Sequence, residues 1–289
     1  MAITIEKSEA PLGAAIAGID LAQEVDAAAF RVLEDAFVDN QVIVFRDQRL
    51  SEPRHIAFSR RFGELEIHVL KQYLHPDHPE ILLISNIVEA GKPIGIADAG
   101  QYWHTDLSYV AAPSRCSLLY ALEVPVDEAG ETRGDTLFAS ALTAYDALPE
   151  AMKQRLAPLR AIHRYGDRYE RMKSEGGVRT ALSDEQRRQV PEVTHPLVRT
   201  HPKSGRKSLY VNEGFTTGIV GMPEDESRAL LAELVDHVKR PEFIYRHKWR
   251  KGDLLMWDNC SVQHRAVADY ALPLRRHMHR TTVRGTVPF

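Results

Sequence analysis

The chain has 289 residues, 44% of them hydrophobic, and a formal charge of −3, enough apolar material for one large core and too little basic excess for a nucleic-acid partner. No low-complexity or acidic tract marks disorder, and apolar runs such as Ile81-Leu82-Leu83-Ile84 are far too short to cross a bilayer. Met1 to Lys7 lacks the apolar core of a signal peptide, so the expectation is a cytoplasmic protein with no membrane partner.

In chain order, Thr4 to Lys7 alternates like a strand, and a glycine-punctuated passage through Gly13 and Gly18 follows. Phe30, Leu33, Ala36 and Phe37 fall at helical spacing within Ala27 to Phe37, and Gln41 to Phe45 reads as a short buried strand. Ser51 and Pro53 open a second helix that Gly63 ends. After the strand Ile81 to Ile84, residues 88–102 carry three glycines and a proline ahead of Trp103, the composition of a lid loop. Strands are expected at Ser117 to Leu122 and Asp135 to Ser140, with helices at Ala141 to Leu148 and Glu150 to Leu156. Residues 164–190 begin in a charged, tyrosine- and glycine-rich passage, read as a flexible insert. His195 to Thr200 and Ser208 to Val211 read as a hairpin, residues 224–238 as an amphipathic helix, Leu254 to Asp258 and Leu274 to Thr282 as strands. Many short strands, few helices and no βαβ alternation make a mainly β domain with helical decoration, one unit over residues 1–289. Cys116 and Cys260 sit in apolar strand contexts and are expected as buried free thiols.

The chemistry gathers around Gln101-Tyr102-Trp103-His104-Thr105-Asp106. In an extended segment, side chains two apart share a face, so His104 and Asp106 would project together. One further histidine would complete a 2-His-1-carboxylate face with open positions on ferrous iron. His264, His277 and His279 could each serve. His264 is favoured because it follows a strand and turn, whereas His277 and His279 alternate with Arg276, Met278 and Arg280. Two guanidinium groups on one strand face, pointing into the metal cavity, call for anionic partners: a dicarboxylate cosubstrate and an anionic substrate.

Taken in order, Phe45-Arg46-Asp47-Gln48, Arg61-Phe62-Gly63-Glu64, Trp103-His104-Thr105-Asp106, Gly134-Asp135-Thr136, Thr200-His201-Pro202, Tyr210-Val211-Asn212, Trp257-Asp258-Asn259, Gln263-His264 and Met278-His279-Arg280 resemble the taurine dioxygenase (TauD/TfdA-like) family. These are Fe(II)- and 2-oxoglutarate-dependent dioxygenases on a double-stranded β-helix, or jelly roll. The resemblance implies iron held by His104, Asp106 and His264, 2-oxoglutarate held by Thr136 and Arg276, and O2 as the oxidant. It further implies a small organic anion gripped by His68 and Arg280, with Leu107 lending a backbone N–H and Tyr109 and Phe215 lining the pocket. Taken alone, His68 reads as a surface or structural residue. The resemblance reverses that reading and makes His68 a cationic donor.

Taurine or a related alkyl sulfonate is the implied substrate, released as sulfite and an aldehyde. The alternatives are an aryloxyalkanoate or alkyl-sulfate dioxygenase on the same iron site, and a non-enzymatic jelly-roll protein that binds a small ligand. Gly100, Gln101 and Tyr102 depart from the family's polar passage at the amine end of taurine. A homo-oligomer, dimer or tetramer, is expected.

Overall fold

Asp26 accepts from Ala28 N and Ala29 N to cap the helix Ala27–Asn40, which buries Leu33, Ala36 and Phe37 along one stripe. In this computed structural model, which describes residues 2–165, 185, 188 and 190–289, that stripe and the helix Glu52–Arg60 lie on one face of a seven-stranded sheet. The strand order is Thr4–Lys7, Ala14–Ala17, Val42–Phe45, Leu254–Asp258, Ser114–Glu123, His277–Arg284 and Leu82–Ser85, antiparallel throughout except for Ala14–Ala17 beside Val42–Phe45.

The central strands are covered on both faces, which is why they read as continuous apolar runs. Ile43, Phe45, Leu118, Leu254 and Met256 meet the two helices. Their alternates Val42, Val44, Leu119, Leu255 and Trp257 point the other way, toward Phe138 and Val262. Those two belong to a smaller antiparallel sheet, Ile244–His247, Thr136–Ser140 and Val262–Ala266. The fold is therefore the expected mainly β jelly roll, two sheets face to face with helices outside. Behind the smaller sheet, the helix Glu224–Val238 contributes Leu230, Leu231 and Leu234 to a third core cluster with Ala139, Ala141 and Leu197.

Several boundaries differ from the sequence reading. The passage after Gly13 is the strand Ala14–Ala17, and Arg160–His163, Thr216–Ile219 and Ile244–His247 are strands that carried too little alternation to be seen. The expected strand over His195 to Thr200 is two strands in different sheets, Val193–Pro196 and Val198–Thr200. Ser51 does precede its helix, but its side chain makes no capping bond. Within 88–102, Val88–Glu89 and Lys92–Pro93 form a short hairpin. The insert expected at 164–190 lies mostly outside the described residues. Cys116 and Cys260 are buried and unpaired with each other, and no helix among the described residues is long and apolar enough to cross a membrane.

Burial sets the acid response of the fold. It depresses His55 and His163 from 6.5 to about 3. Each group is protonated more readily unfolded than folded, so its contribution to stability is complete above pH 6.5 and declines as pH falls from there toward 3. Each should cost about 1.4 kcal/mol per pH unit in that window. Urea midpoints should therefore drop from pH 7.5 to pH 5, and His163→Gln should flatten that slope. Equal midpoints at the two pH values would contradict this account of the buried histidines.

Candidate active site

His104 and His264 are brought together by backbone. An isolated antiparallel bridge joins them, with His104 N donating to His264 O at 3.1 Å and His264 N donating to His104 O at 2.8 Å. Their rings sit 4.1 Å apart between centroids. His264 lies inside the strand Val262–Ala266, opposite Phe138, rather than after a strand and turn. The segment from Gln101 to Asp106 is not an extended strand either, so face alternation is not what pairs His104 with Asp106. The chain turns immediately after Asp106, where Leu107 takes a φ of 57°, in the left-handed region.

The two histidines and the carboxylate nevertheless converge. Nε2 of His104 lies 3.7 Å from Asp106 Oδ1, and Nε2 of His264 lies 3.9 Å from Asp106 Oδ2. All three residues are buried, with one potential ligand atom from each within 4.8 Å of the others. Nδ1 of His104 donates to Tyr102 O at 2.9 Å, which leaves its Nε2 lone pair for a metal. Gly100 presses on the same ring: a Cβ there would meet His104 Cε1 at 2.9 Å. Burial would push the Asp106 carboxyl up, but Arg280, His264 and His104 together hold it well below the usual range. Burial, reinforced by His104, keeps His264 neutral against the pull of Asp106. The set is an ionised carboxylate and a neutral imidazole beside the oriented His104 ring, fit for a divalent ion.

Arg276 and Arg280 line the cavity that His104, His264, Thr136 and Trp257 also line. Arg276 is 4% exposed, its Nε is buried without a hydrogen-bond partner, and no carboxylate among the described residues pairs with it. A buried cation in that condition calls for an anion from outside the chain. Thr136 Oγ1 accepts from Trp249 Nε1 at 3.0 Å, which turns its hydroxyl proton toward other acceptors. Arg280 donates to Asp106 Oδ1 at 3.1 Å and bridges this cavity to its neighbour. In the neighbouring cavity His68, Leu107, Tyr109, Phe215 and Arg280 all contribute wall beside His104 and Asp106. His68 Nδ1 accepts from Leu70 N at 3.1 Å, which leaves its Nε2–H as the donor on that ring.

The sequence model described as "Taurine catabolism dioxygenase TauD, TfdA family" matches residues 4–282. The chain belongs to the TauD/TfdA family. It is 38% identical over 284 residues to the alpha-ketoglutarate-dependent 2,4-dichlorophenoxyacetate dioxygenase of Cupriavidus pinatubonensis, covering 94% of each chain. It is 33% identical to an alkylsulfatase of Acinetobacter baylyi, covering 99% of this chain and 86% of that one. Among solved structures, AAD-2 in complex with Mn(II) and N-oxalylglycine superposes with a TM-score of 0.81 at 33% identity, covering 100% of this chain and 99% of that chain. This TauD/TfdA chain is thus a 2-oxoglutarate-dependent dioxygenase, of a kind that works with Fe(II), 2-oxoglutarate and O2.

Two positioning residues of this family member escaped the sequence reading. Asn259 accepts through Oδ1 from Asp106 N at 3.2 Å and from Trp257 Nε1 at 3.1 Å. Ser117 donates to Asp106 Oδ2 at 2.7 Å and accepts from Asn259 Nδ2 at 3.1 Å. Asp258 stabilises the turn that follows it, accepting from Cys260 N at 2.8 Å and Ser261 Oγ at 2.9 Å. Tyr165 is a further wall, its ring 4.3 Å from that of Tyr109. None of these pairs has a sequence spacing that signals it. Loss of a hydrogen bond to a ligating carboxylate typically weakens metal binding about 10–100-fold. Ser117→Ala should therefore loosen Fe(II) by roughly that factor in anaerobic titration while circular dichroism stays unchanged. Unaltered affinity would contradict the role given to Ser117.

Proposed function

We propose that His104, Asp106 and His264 hold Fe(II), that Arg276 and Thr136 hold the distal carboxylate of 2-oxoglutarate, and that the adjoining cavity takes a small organic anion with an apolar, ring-sized body. The observation that carries this reading is the buried Arg276, hydrogen-bonded to Tyr270 but with no carboxylate partner among the described residues and with its Nε unsatisfied, sharing one cavity with the two histidines and Thr136. A planar guanidinium offers a fork that matches a carboxylate.

In the second cavity, Arg280 and the Nε2–H of His68 face the anionic head, while Tyr102, Tyr109, Tyr165 and Phe215 surround the body. Tyr109, Tyr165 and Phe215 pack as a cluster, with Phe215 4.7 Å from Tyr109 and 5.9 Å from Tyr165 between centroids. Asp106 is the sole carboxylate among the described residues of that wall, and the metal claims it. A taurine ammonium would find no other carboxylate among the described residues of that wall. The reading therefore favours an aryloxyalkanoic acid. An alkyl sulfonate or sulfate ester is the second reading, supported by the match to the alkylsulfatase over 99% of the chain.

Iron with 2-oxoglutarate supplies the activation of O2 that puts one oxygen atom into a substrate C–H bond and the other into succinate, with loss of CO2. The chain's residues decide which C–H bond that is. Arg280 and His68 fix the anion, so the carbon beside it is presented to the histidine face, an effect of position rather than of acid–base chemistry. Burial, with Tyr165 and Tyr102 adding to it, pushes the Tyr109 hydroxyl well up, so Tyr109 stays neutral and adds no negative charge beside the substrate anion. The aromatic wall excludes water from the reacting carbon. Residues 88–102 supply Ile96, Ala99, Gly100 and Tyr102 to the cavity wall, which supports their reading as a lid. A homo-oligomeric, cytoplasmic enzyme remains part of the proposal.

The test is succinate formation with 2,4-dichlorophenoxyacetate, an alkyl sulfate, an alkyl sulfonate and taurine, read against phenol, sulfate and sulfite release. The aryloxyacetate should give the highest turnover and taurine the lowest. Taurine as best substrate would contradict the reading of the cavity. Arg276→Ala should raise the KM for 2-oxoglutarate about 10–100-fold, the worth of a charge-assisted hydrogen-bond pair. An unchanged KM would remove Arg276 from the cosubstrate site.

A further inference from the structure

The strand His277–Arg284 has two working faces. Arg280 and, just before the strand, Arg276 turn into the sandwich, whereas His279 lies on the outer side against the start of the helix Glu52–Arg60. There it meets His75, from the loop ahead of Leu82–Ser85, with ring centroids 5.5 Å apart. Glu52, His75 and His279 each present a ligand atom within 4.8 Å of the other two. Two more imidazoles crowd the group: His78 is 5.2 Å from His75, and His277 is 5.1 Å from His279. A tight turn holds the first of these, with His78 N donating to His75 O and Ile81 N donating to His78 O.

We propose that Glu52, His75 and His279 form a second metal site, for a divalent d-block cation such as Zn2+, on the outside of the strand whose inner side serves the active site. The contacts within the cluster are the reason. His279 Nδ1 and Glu52 Oε1 stand 3.8 Å apart, too far for a hydrogen bond. Two donors on one tetrahedral zinc stand about 3.3 Å apart, given bonds of about 2.0–2.1 Å. The groups thus face one another at a separation that a shared ion closes with small side-chain movements.

A different cluster, His201, Asp258 and Cys260, shows the contrast. There His201 Nε2 and Asp258 Oδ2 are 2.6 Å apart, and Cys260 N donates to Asp258, so hydrogen bonds account for the convergence. In the outer cluster, His277 Nδ1 is instead buried with no hydrogen-bond partner among the described residues.

The donor set selects the ion. Imidazoles with one carboxylate suit zinc, nickel or copper, whereas calcium and magnesium require oxygen-rich shells. Burial, with His277 adding to it, depresses His279 to about 4, so its ring is neutral at pH 7 and no proton need be displaced from it. His75 would give up the 3.2 Å bond that its Nδ1 accepts from Asp77 N, an exposed contact that water can replace. Glu52 and His75 are partly exposed, giving the ion a route in.

The test is equilibrium dialysis of the full chain against Zn2+ at pH 7.5, with zinc counted per chain. In the variant His104→Ala/Asp106→Ala, which disables the active-site ligands, one equivalent should remain bound. Adding His75→Ala should weaken that equivalent at least 100-fold, and adding Glu52→Gln instead at least 10-fold. Substituting Co2+ should give a visible ligand-field band that His75→Ala abolishes. In the otherwise native chain, His75→Ala should leave Fe(II)-dependent succinate formation unchanged, which separates this site from the oxygenase reading. Absence of zinc from His104→Ala/Asp106→Ala, or retention indifferent to both His75 and Glu52, would overturn the proposal.

Discussion

Two backbone hydrogen bonds between His104 and His264 hold the rest of the chemistry in place. They fasten an irregular segment to the smaller sheet at one residue on each side. Because Val262–Ala266 is itself zipped to Thr136–Ser140, with His264 opposite Phe138 and Ala266 opposite Thr136, one register positions together the imidazole proposed for the metal and the hydroxyl proposed for the cosubstrate. A slip of one residue would send His264 to the outer face and remove both halves at once. The polar supports of Asp106, Ser117 and Asn259, reach it from two different strand ends of the larger sheet. The site is therefore assembled across the sandwich rather than on one element, and rigid sheets on both sides keep it preorganised.

Charge follows the same division. Asp106 is the one anion the chain supplies to the paired cavities among the described residues, and it faces Arg280 and two imidazoles. Arg276 and Arg280 stand in excess of it. Buried cations in excess of the anions beside them are costly unless ligands complete them, which is why the proposed reading fills the pocket with two anions and one metal. Other buried acids are paired internally, as with Asp253 between Arg46 and His247, or Asp258 with His201, while the buried Arg199 packs over the Tyr210 ring at 5.0 Å.

How much of this could be read from residues alone depended on the range of the interaction. Apolar runs such as Val42 to Phe45 and Leu254 to Trp257 announced themselves because burial on both faces leaves a continuous pattern. Ala14–Ala17 did not, since three alanines and one isoleucine between glycines carry no period, and Ile244–His247 reads as charged and aromatic rather than alternating. The histidines and arginines of the site were legible through their family resemblance and chemical type. The geometric route to His104 and Asp106 was not the one the structure uses, because the segment is a turn anchored by a bridge. Asn259 and Ser117 were invisible for a related reason: Asp106 and Asn259 are 153 residues apart and Asn259 and Ser117 142 apart, and an asparagine in a turn or a serine in a strand has an ordinary local explanation. His75 and His279, separated by most of the sequence, meet only because Leu83 pairs with His279 and the preceding loop folds back over that strand.

The central claim is that one ion and one dicarboxylate bind side by side among His104, Asp106, His264 and Arg276. Anaerobic addition of Fe(II) and then 2-oxoglutarate, followed by visible absorption, measures it most directly, since a charge-transfer band requires both on the same centre. The account predicts a band with the native chain, none with His264→Ala, and one demanding far more 2-oxoglutarate with Arg276→Ala. A band of full strength at the same 2-oxoglutarate concentration in both variants would contradict it.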